Sequence, residues 1–202
     1  MKKMSMLDRI LLLITGLLAA YQIVAGVDGA PALSLWAYTV AFGVLLVAGL
    51  LLIIMGFEVL ESPLVVIVST IIPLSLSLGL VNEYWPRMFL PYAIFVVIGF
   101  LAIVYTRLGN VSKGMATLTL VIVHGIAGLV IFLLPIILAM KGAAPGGFAL
   151  VGVGGALIGL GGMLLGFLKA GKPILPQKTI LAVLPGLLLL MTLAFVAGFS
   201  FV

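Results

Sequence analysis

The sequence contains no cysteine and a single histidine, and only 7% of its 202 residues are charged. The missing cysteine excludes disulfides, thiolate metal ligands and cysteine nucleophiles, and it leaves the redox compartment open. The single histidine excludes a bis-histidine haem held within this chain. The scarcity of charge excludes an ordinary soluble domain, because 65% of the residues are hydrophobic and a chain of this length has too little interior to bury them.

The sequence contains long uncharged runs, and each is about as long as the ~17–25 residues of a membrane-spanning helix. None has the alternating pattern of an outer-membrane barrel strand. We therefore expect an all-α integral membrane protein, a seven-transmembrane-helix bundle in one polytopic domain, residues 1–202. The first run, 10–27, resembles a signal peptide but is long for one, so we expect an uncleaved first helix. The expected spans are 9–27, 35–57, 62–81, 89–106, 115–140, 148–168 and 179–201.

Glu58 and Glu61 decide the topology, because they interrupt an otherwise uncharged stretch from 35 to 81. One straight helix over that stretch would measure about 70 Å, more than twice the ~30 Å hydrocarbon thickness. The chain must therefore reverse near the two glutamates, and Pro63 suits the first turn of the next helix. We expect a turn at the cytoplasmic surface. The alternative is a pair of carboxylates on one helical face that bind a cation or a proton.

The positive charges indicate the orientation. With a turn at the glutamates, eight basic residues fall on one side of the membrane and only Arg87 and Lys141 on the other, whereas a single crossing would give five against five. The positive-inside rule favours the first arrangement, with the N-terminus in the cytoplasm and the C-terminus outside a prokaryotic plasma membrane. The eight are Lys2, Lys3, Arg9, Arg107, Lys113, Lys169, Lys172 and Lys178.

His124 lies nine residues into the fifth span, about 13 Å from its start. An ionisable side chain inside a membrane is expensive and suggests a function. It is a candidate axial ligand to a haem or chlorophyll, a hydrogen-bond partner of a quinone headgroup, or part of a proton relay. We favour packing, in which a neutral imidazole forms a hydrogen bond to a neighbouring helix. The cofactor, a quinone or a single-ligand pigment if there is one, stays undetermined.

A polar stripe runs along the third span, where Thr70, Pro73 and Ser77 share one helical face and Ser69 lies beside them. Pro73 removes a backbone hydrogen bond and frees the carbonyl of Ser69. Transporters build solute sites at such broken helices, and ordinary bundles build kinks there. We favour the kink. The alternative is a substrate site formed by Tyr21, Gln22, Ser69, Thr70, Ser77 and His124.

Glycine is abundant in the sixth span, where Gly155, Gly159 and Gly162 lie near one face. The first two have the GxxxG spacing that lets helices approach closely. The spacing predicts a helix-packing interface, either within the chain or with another subunit.

A weak repeat with an offset of 110 is compatible with a parallel 3+1+3 duplication. It relates Gly49-Leu50, Gly56-Phe57 and Pro63 to Gly159-Leu160, Gly166-Phe167 and Pro173.

No catalytic motif is present: there is no HExxH, no pair of aspartates for a diphosphate–metal site, and no lysine in the seventh span. We therefore expect no enzyme and no metal site. The first hypothesis is a non-catalytic membrane subunit or scaffold of a larger assembly, for example an energy-transducing one, whose partners are lipid, other membrane subunits or copies of itself. The basic residues serve orientation, so nucleic acid is not an expected partner. The alternative is a small-solute transporter with a mid-membrane site near Pro73 and His124, which a wide polar central cavity would favour.

Overall fold

The chain folds into seven α-helices that are long and apolar enough to cross a membrane, in a computed structural model that describes residues 4–169, 171 and 173–202. Within those residues no strand occurs, and the predicted all-helical membrane class is confirmed. The predicted cytoplasmic Lys2, Lys3 and Lys172 lie outside the described residues, as does the side chain of Lys113. The helices are α1 (Met6–Ala25), α2 (Ala32–Met55), α3 (Pro63–Tyr84), α4 (Phe89–Leu108), α5 (Lys113–Met140), α6 (Ala149–Lys169) and α7 (Gln177–Phe199).

Local sequence explains where α1 begins and ends. The Ser5 hydroxyl accepts a hydrogen bond from the Asp8 amide at 3.1 Å, and the Asp8 carboxylate accepts one from the Ser5 amide at 2.8 Å. This capping box satisfies two amides that the helix itself leaves unpaired. It starts α1 at Met6, so that Asp8 is part of the first turn. Gly26, with a φ of 69°, ends the helix in a conformation that side chains disfavour.

The chain reverses between α2 and α3 through a 3₁₀ turn, Gly56–Glu61. Phe57 and Val59 are buried in this turn, and Glu58 and Glu61 are exposed. Pro63 follows as the first residue of α3, where its missing N–H leaves no hydrogen bond unmade. The helix then returns along α2.

Six of the seven helices form a closed ring. Contacts run from α1 to α2, α2 to α3, α3 to α5, α5 to α6, α6 to α7, and from α7 back to α1. The remaining helix, α4, lies outside the ring against α3 and α5. Its apolar stretch is only 11% buried, against 61% for that of α3. The two three-helix rows, α1–α3 and α5–α7, are compatible with the 3+1+3 repeat, which stays a prediction.

Aromatic side chains fill the ring at the end where α2 begins and α3 and α7 end, here called the aromatic end. The rings of Tyr38 and Phe199 lie 4.8 Å apart, and Phe148 lies 6.3 Å from Phe199. Phe42 meets Phe195 edge to face at 6.4 Å. Such pairs are stabilising beyond the area they bury. A small cavity beside them is apolar, and its lining is Ala41, Phe42, Leu45, Ile72, Leu76 and Phe195.

Glycines allow α6 to pack tightly between α5 and α7. A Cβ atom on Gly155 would lie 2.7 Å from the backbone nitrogen of Phe132 in α5. On the other side, a Cβ on Gly198 of α7 would lie 2.6 Å from the backbone nitrogen of Val151. The backbones therefore touch where only hydrogen fits.

Candidate functional site

The hydroxyl groups of the α3 stripe all donate to carbonyls of their own helix. Thr70 donates to the Val66 carbonyl at 2.8 Å, and Ser69 donates to the same carbonyl at 3.0 Å. Ser77 donates to the Pro73 carbonyl at 2.6 Å. Bonds of this kind satisfy polar groups in a membrane helix that contains a proline. The hydroxyl protons of these three side chains are therefore already in hydrogen bonds and are not available to a bound solute.

Tyr92 adds a polar group that the sequence did not single out. Its phenol, on α4, comes close to Ser77 on α3. The hydroxyl oxygen is buried and has no hydrogen bond of ordinary geometry. Because α4 lies outside the ring, this encounter depends on how α4 packs on α3, which the sequence of either helix alone does not reveal.

Tyr21 and Gln22 do not add to the stripe on α3. Tyr21 is 59% exposed on the outside of α1. Gln22 is buried, but its side-chain amide donates to the Gly26 carbonyl at 2.5 Å, at the end of its own helix. Between described residues, no hydrogen bond joins either side chain to α3.

His124 lies at the seam between α5 and α6. Its Nδ1 atom is buried and has no hydrogen-bond partner. A Cβ atom on Gly162 of α6 would lie 4.0 Å from its Cδ2. A histidine that acts as the base of a nucleophile–base pair needs a hydrogen-bonded partner. Nδ1 has none, and no hydrogen bond joins this ring to Thr70 or Ser77 within the described chain.

The α5–α6 seam opens along its length. At Gly155 the two backbones touch, whereas nothing lies within 4 Å of the position of a Cβ on Gly159. Gly159 and Gly162 are both exposed. The three glycines of the predicted interface therefore have different surroundings: Gly155 packs within the chain, Gly162 faces His124, and Gly159 faces open space.

Basic side chains gather at the opposite end of the bundle from the aromatic end, where α4 and α6 end and α5 begins, here called the basic end. Arg107 donates from Nη2 to the Ala116 carbonyl of α5 at 3.4 Å, and its Nε is buried without a partner. Its charge acts on both His124 and Lys169. Lys169 also interacts electrostatically with Glu61. The two cations lie on different helices and nothing in the sequence brings them together, so this convergence was missed.

A polar network at the aromatic end was missed as well. Tyr38 donates to the Glu83 carboxylate at 2.8 Å. The Asn82 amide donates to the Ser34 hydroxyl at 2.8 Å, and that hydroxyl donates to the Gly79 carbonyl at 3.0 Å. All these bonds join α2 to α3. They tie the two helices together at the end where aromatic side chains fill the ring.

In the described parts of the chain, His, Asp and Glu side chains form no group of three that could hold a metal ion. No family model, no curated protein and no solved structure matches this chain. The function of this chain must therefore be inferred from the geometry of its own residues.

Proposed function

We propose that this chain is a non-catalytic membrane subunit or scaffold that associates with other helices through glycine-lined surface. The observation that carries the proposal is a set of helical glycines that the chain's own packing does not use. Gly125 of α5 and Gly159 of α6 are exposed, and nothing lies within 4 Å of where their Cβ atoms would be. Gly152 and Gly155, one to two turns away on α6, do meet the backbone of α5. Small residues at a membrane surface let a further helix approach in the same way.

The filled aromatic end also supports this proposal. Tyr38, Phe148 and Phe199 are each nearly inaccessible to solvent. The hydroxyl groups of α3 donate to their own backbone rather than into a channel. A scaffold needs this kind of dry interior, whereas a solute pathway needs polar groups that are free to bind.

The test is the mass of the assembly that the chain forms in its native membrane. We expect the tagged protein, extracted in mild detergent, to give a native mass above the 21.1 kDa of one chain. Gly159→Leu should shift the population toward the single chain, because the new side chain occupies the proposed contact. Ala156→Leu is the matched control, because Ala156 is also exposed on α6 but is not one of the glycines at the proposed contact. A wild-type protein that travels as a single chain would contradict the proposal.

The same sample tests for a bound chromophore. An absorption band that disappears in His124→Ala would assign His124 to a pigment and place the chain in a cofactor-bearing complex. A colourless preparation would indicate that His124 holds no pigment, and association would remain the proposed role of the subunit.

The transporter remains the second candidate, favoured by the asymmetry of the bundle. One end of the ring is filled by aromatic rings, while Arg107, Lys169 and His124 gather toward the other. The chain has no cysteine, so Ser77→Cys gives a single thiol in the middle of α3. Rapid reaction of this thiol with a small charged thiosulfonate would reveal a water-filled path and favour transport. A thiol that resists the reagent while Glu58→Cys reacts would favour the scaffold.

A further inference from the structure

Two buried nitrogen atoms lack partners in the same region of the bundle. They are Nε of Arg107, on α4, and Nδ1 of His124, on α5. Buried polar atoms in folded proteins are nearly always hydrogen-bonded, to protein, water or a ligand. The two residues lie close enough for the guanidinium charge to act on the imidazole. A bound group with oxygen acceptors would account for the unpaired Nε.

Helical periodicity places His124 on the inner side of the ring. Ile131 of α5 is fully buried in the cluster that fills the ring, and His124 lies seven residues earlier on the same face. On α6, Gly162 and Lys169 follow Gly155 by seven and fourteen residues, so they continue the face that packs against α5. Gly162 is exposed, and a Cβ atom on it would lie 4.0 Å from Cδ2 of His124.

The charges at this end do not cancel. The hydrogen bond from Arg107 to Ala116 holds its guanidinium against α5, about 12 Å along the helix from His124. Lys169 interacts with Arg107 and with Glu61. Among these three groups, two cations and one carboxylate leave one net positive charge. Arg107 lies on α4, Lys169 on α6 and Glu61 in the 3₁₀ turn that precedes α3. Arg107 is the penultimate residue of α4, and Lys169 is the last residue of α6.

We propose that the basic end binds a phosphate group between Arg107 and Lys169, with the Nε–H of Arg107 as a donor. A guanidinium presents several N–H groups in a fixed fork that suits phosphate oxygens. Basic pockets between membrane helices at the depth of the lipid headgroups bind anionic lipids. The phosphate can belong to such a lipid or to a soluble phosphate. This site is independent of the proposed association at Gly159.

The experiment measures ligand binding to delipidated protein in a neutral detergent, by native mass spectrometry and by the shift in unfolding temperature. The probes are phosphatidylglycerol, phosphatidylcholine and inorganic phosphate. The test variant carries Arg107→Gln and Lys169→Gln together. The matched control carries Arg87→Gln and Lys141→Gln, which remove the same charge from exposed positions at the aromatic end. We expect the test variant to bind phosphatidylglycerol at least about tenfold more weakly than the control.

Each result bears on the proposal. Binding of phosphatidylglycerol but not inorganic phosphate, lost only in the test variant, identifies a lipid headgroup. Binding of inorganic phosphate with the same dependence identifies a soluble ligand. Equal binding by the test variant and the control overturns the proposal, because the basic end would then be no better than any other cationic surface.

Single substitutions decide the matter if the double variant fails to fold. Lys169 is exposed at the end of α6, so Lys169→Gln should leave the fold intact and weaken binding. Arg107→Lys keeps the charge but removes Nε, and wild-type affinity in this variant would refute the assigned donor. Glu61→Gln removes the only carboxylate among the named charges and should strengthen binding, a gain that a purely structural role would not produce.

Discussion

The phenol ring of Tyr38 lies directly against Gly79, in the space that a Cβ atom on Gly79 would occupy. The hydroxyl of the same ring donates to Glu83 at 2.8 Å, four residues further along α3 and therefore on the same helical face. One glycine and one carboxylate of α3 thus hold the side chain that packs on Phe199. The position of α2 against α3 depends on this pair of contacts.

Gly79→Ala should destabilise the protein. The added methyl group must displace the Tyr38 ring, and overpacking of this kind costs about 1–3 kcal/mol, partly offset by the ~1 kcal/mol that alanine gains in a helix. Reversible unfolding in mixed detergent micelles measures the difference. Gly43→Ala is the control, because nothing lies within 4 Å of its Cβ position. It should be neutral or slightly stabilising, and equal losses in the two variants would contradict the steric explanation.

Tyr38→Phe should lower stability by about 1.5–3 kcal/mol, since hydrogen bonds to charged groups fall in that range and this one is largely sheltered from water. The same unfolding assay applies. Tyr21→Phe removes an identical hydroxyl from an exposed position and should change little. No loss in Tyr38→Phe would mean that Glu83 finds another donor at no cost.

Gly155→Ala and Gly159→Ala should differ although both residues lie on α6 in a GxxxG pair. The first places a methyl group 2.7 Å from the Phe132 backbone nitrogen, and a helix backbone cannot move aside as a flexible side chain can. A loss of about 1–3 kcal/mol is expected for Gly155→Ala. Gly159→Ala should keep the stability of the single chain, and a comparable loss there would show that the seam is closed.

His124→Leu should leave the stability of the delipidated chain unchanged or raise it by up to about 1 kcal/mol. The Nδ1 atom has no partner, and replacing an unsatisfied buried polar group by an apolar one of similar size is nearly neutral or stabilising. His124→Asn keeps a polar group at the site and should not share the gain. A large loss in the leucine variant would reveal a hydrogen bond made by the imidazole.

The orientation can be tested on the chain's cysteine-free background. Glu58→Cys and Arg87→Cys lie at opposite ends of the bundle, and both positions are exposed. The positive-inside rule predicts that an impermeant maleimide labels Arg87→Cys on intact cells and Glu58→Cys only on inverted membranes. The reverse pattern would turn the bundle over and place the basic end outside.

The spans could be read from the sequence because hydrophobic length is a local property. The reversal near Glu58 could be predicted from length alone, because a single helix over residues 35–81 would be too long for a bilayer. Helix α1 begins at Met6 rather than at the predicted residue 9, because the capping box includes Asp8 in the first turn. Asp8 also lies at the edge of the uncharged run.

Features that depend on packing between helices could not be predicted from the sequence. Gly155 and Gly159 have the same spacing signal, but only Gly155 has the α5 backbone beside it. Arg107 and Lys169 lie on helices that are not consecutive in the sequence. They come together because α4 and α6 both pack on α5, which the sequence does not show.

The contact between α1 and α7 has a consequence for biosynthesis. α7 emerges from the ribosome after the other six helices, so α1 waits in the lipid for roughly ten to thirty seconds at ordinary rates of translation. Its buried polar side chains are already satisfied by its own backbone, Thr15 through the Leu11 carbonyl at 2.9 Å and Gln22 through that of Gly26. A solitary α1 therefore presents no unpaired side-chain donor at these positions to the hydrocarbon, and it can remain inserted until its last neighbour arrives.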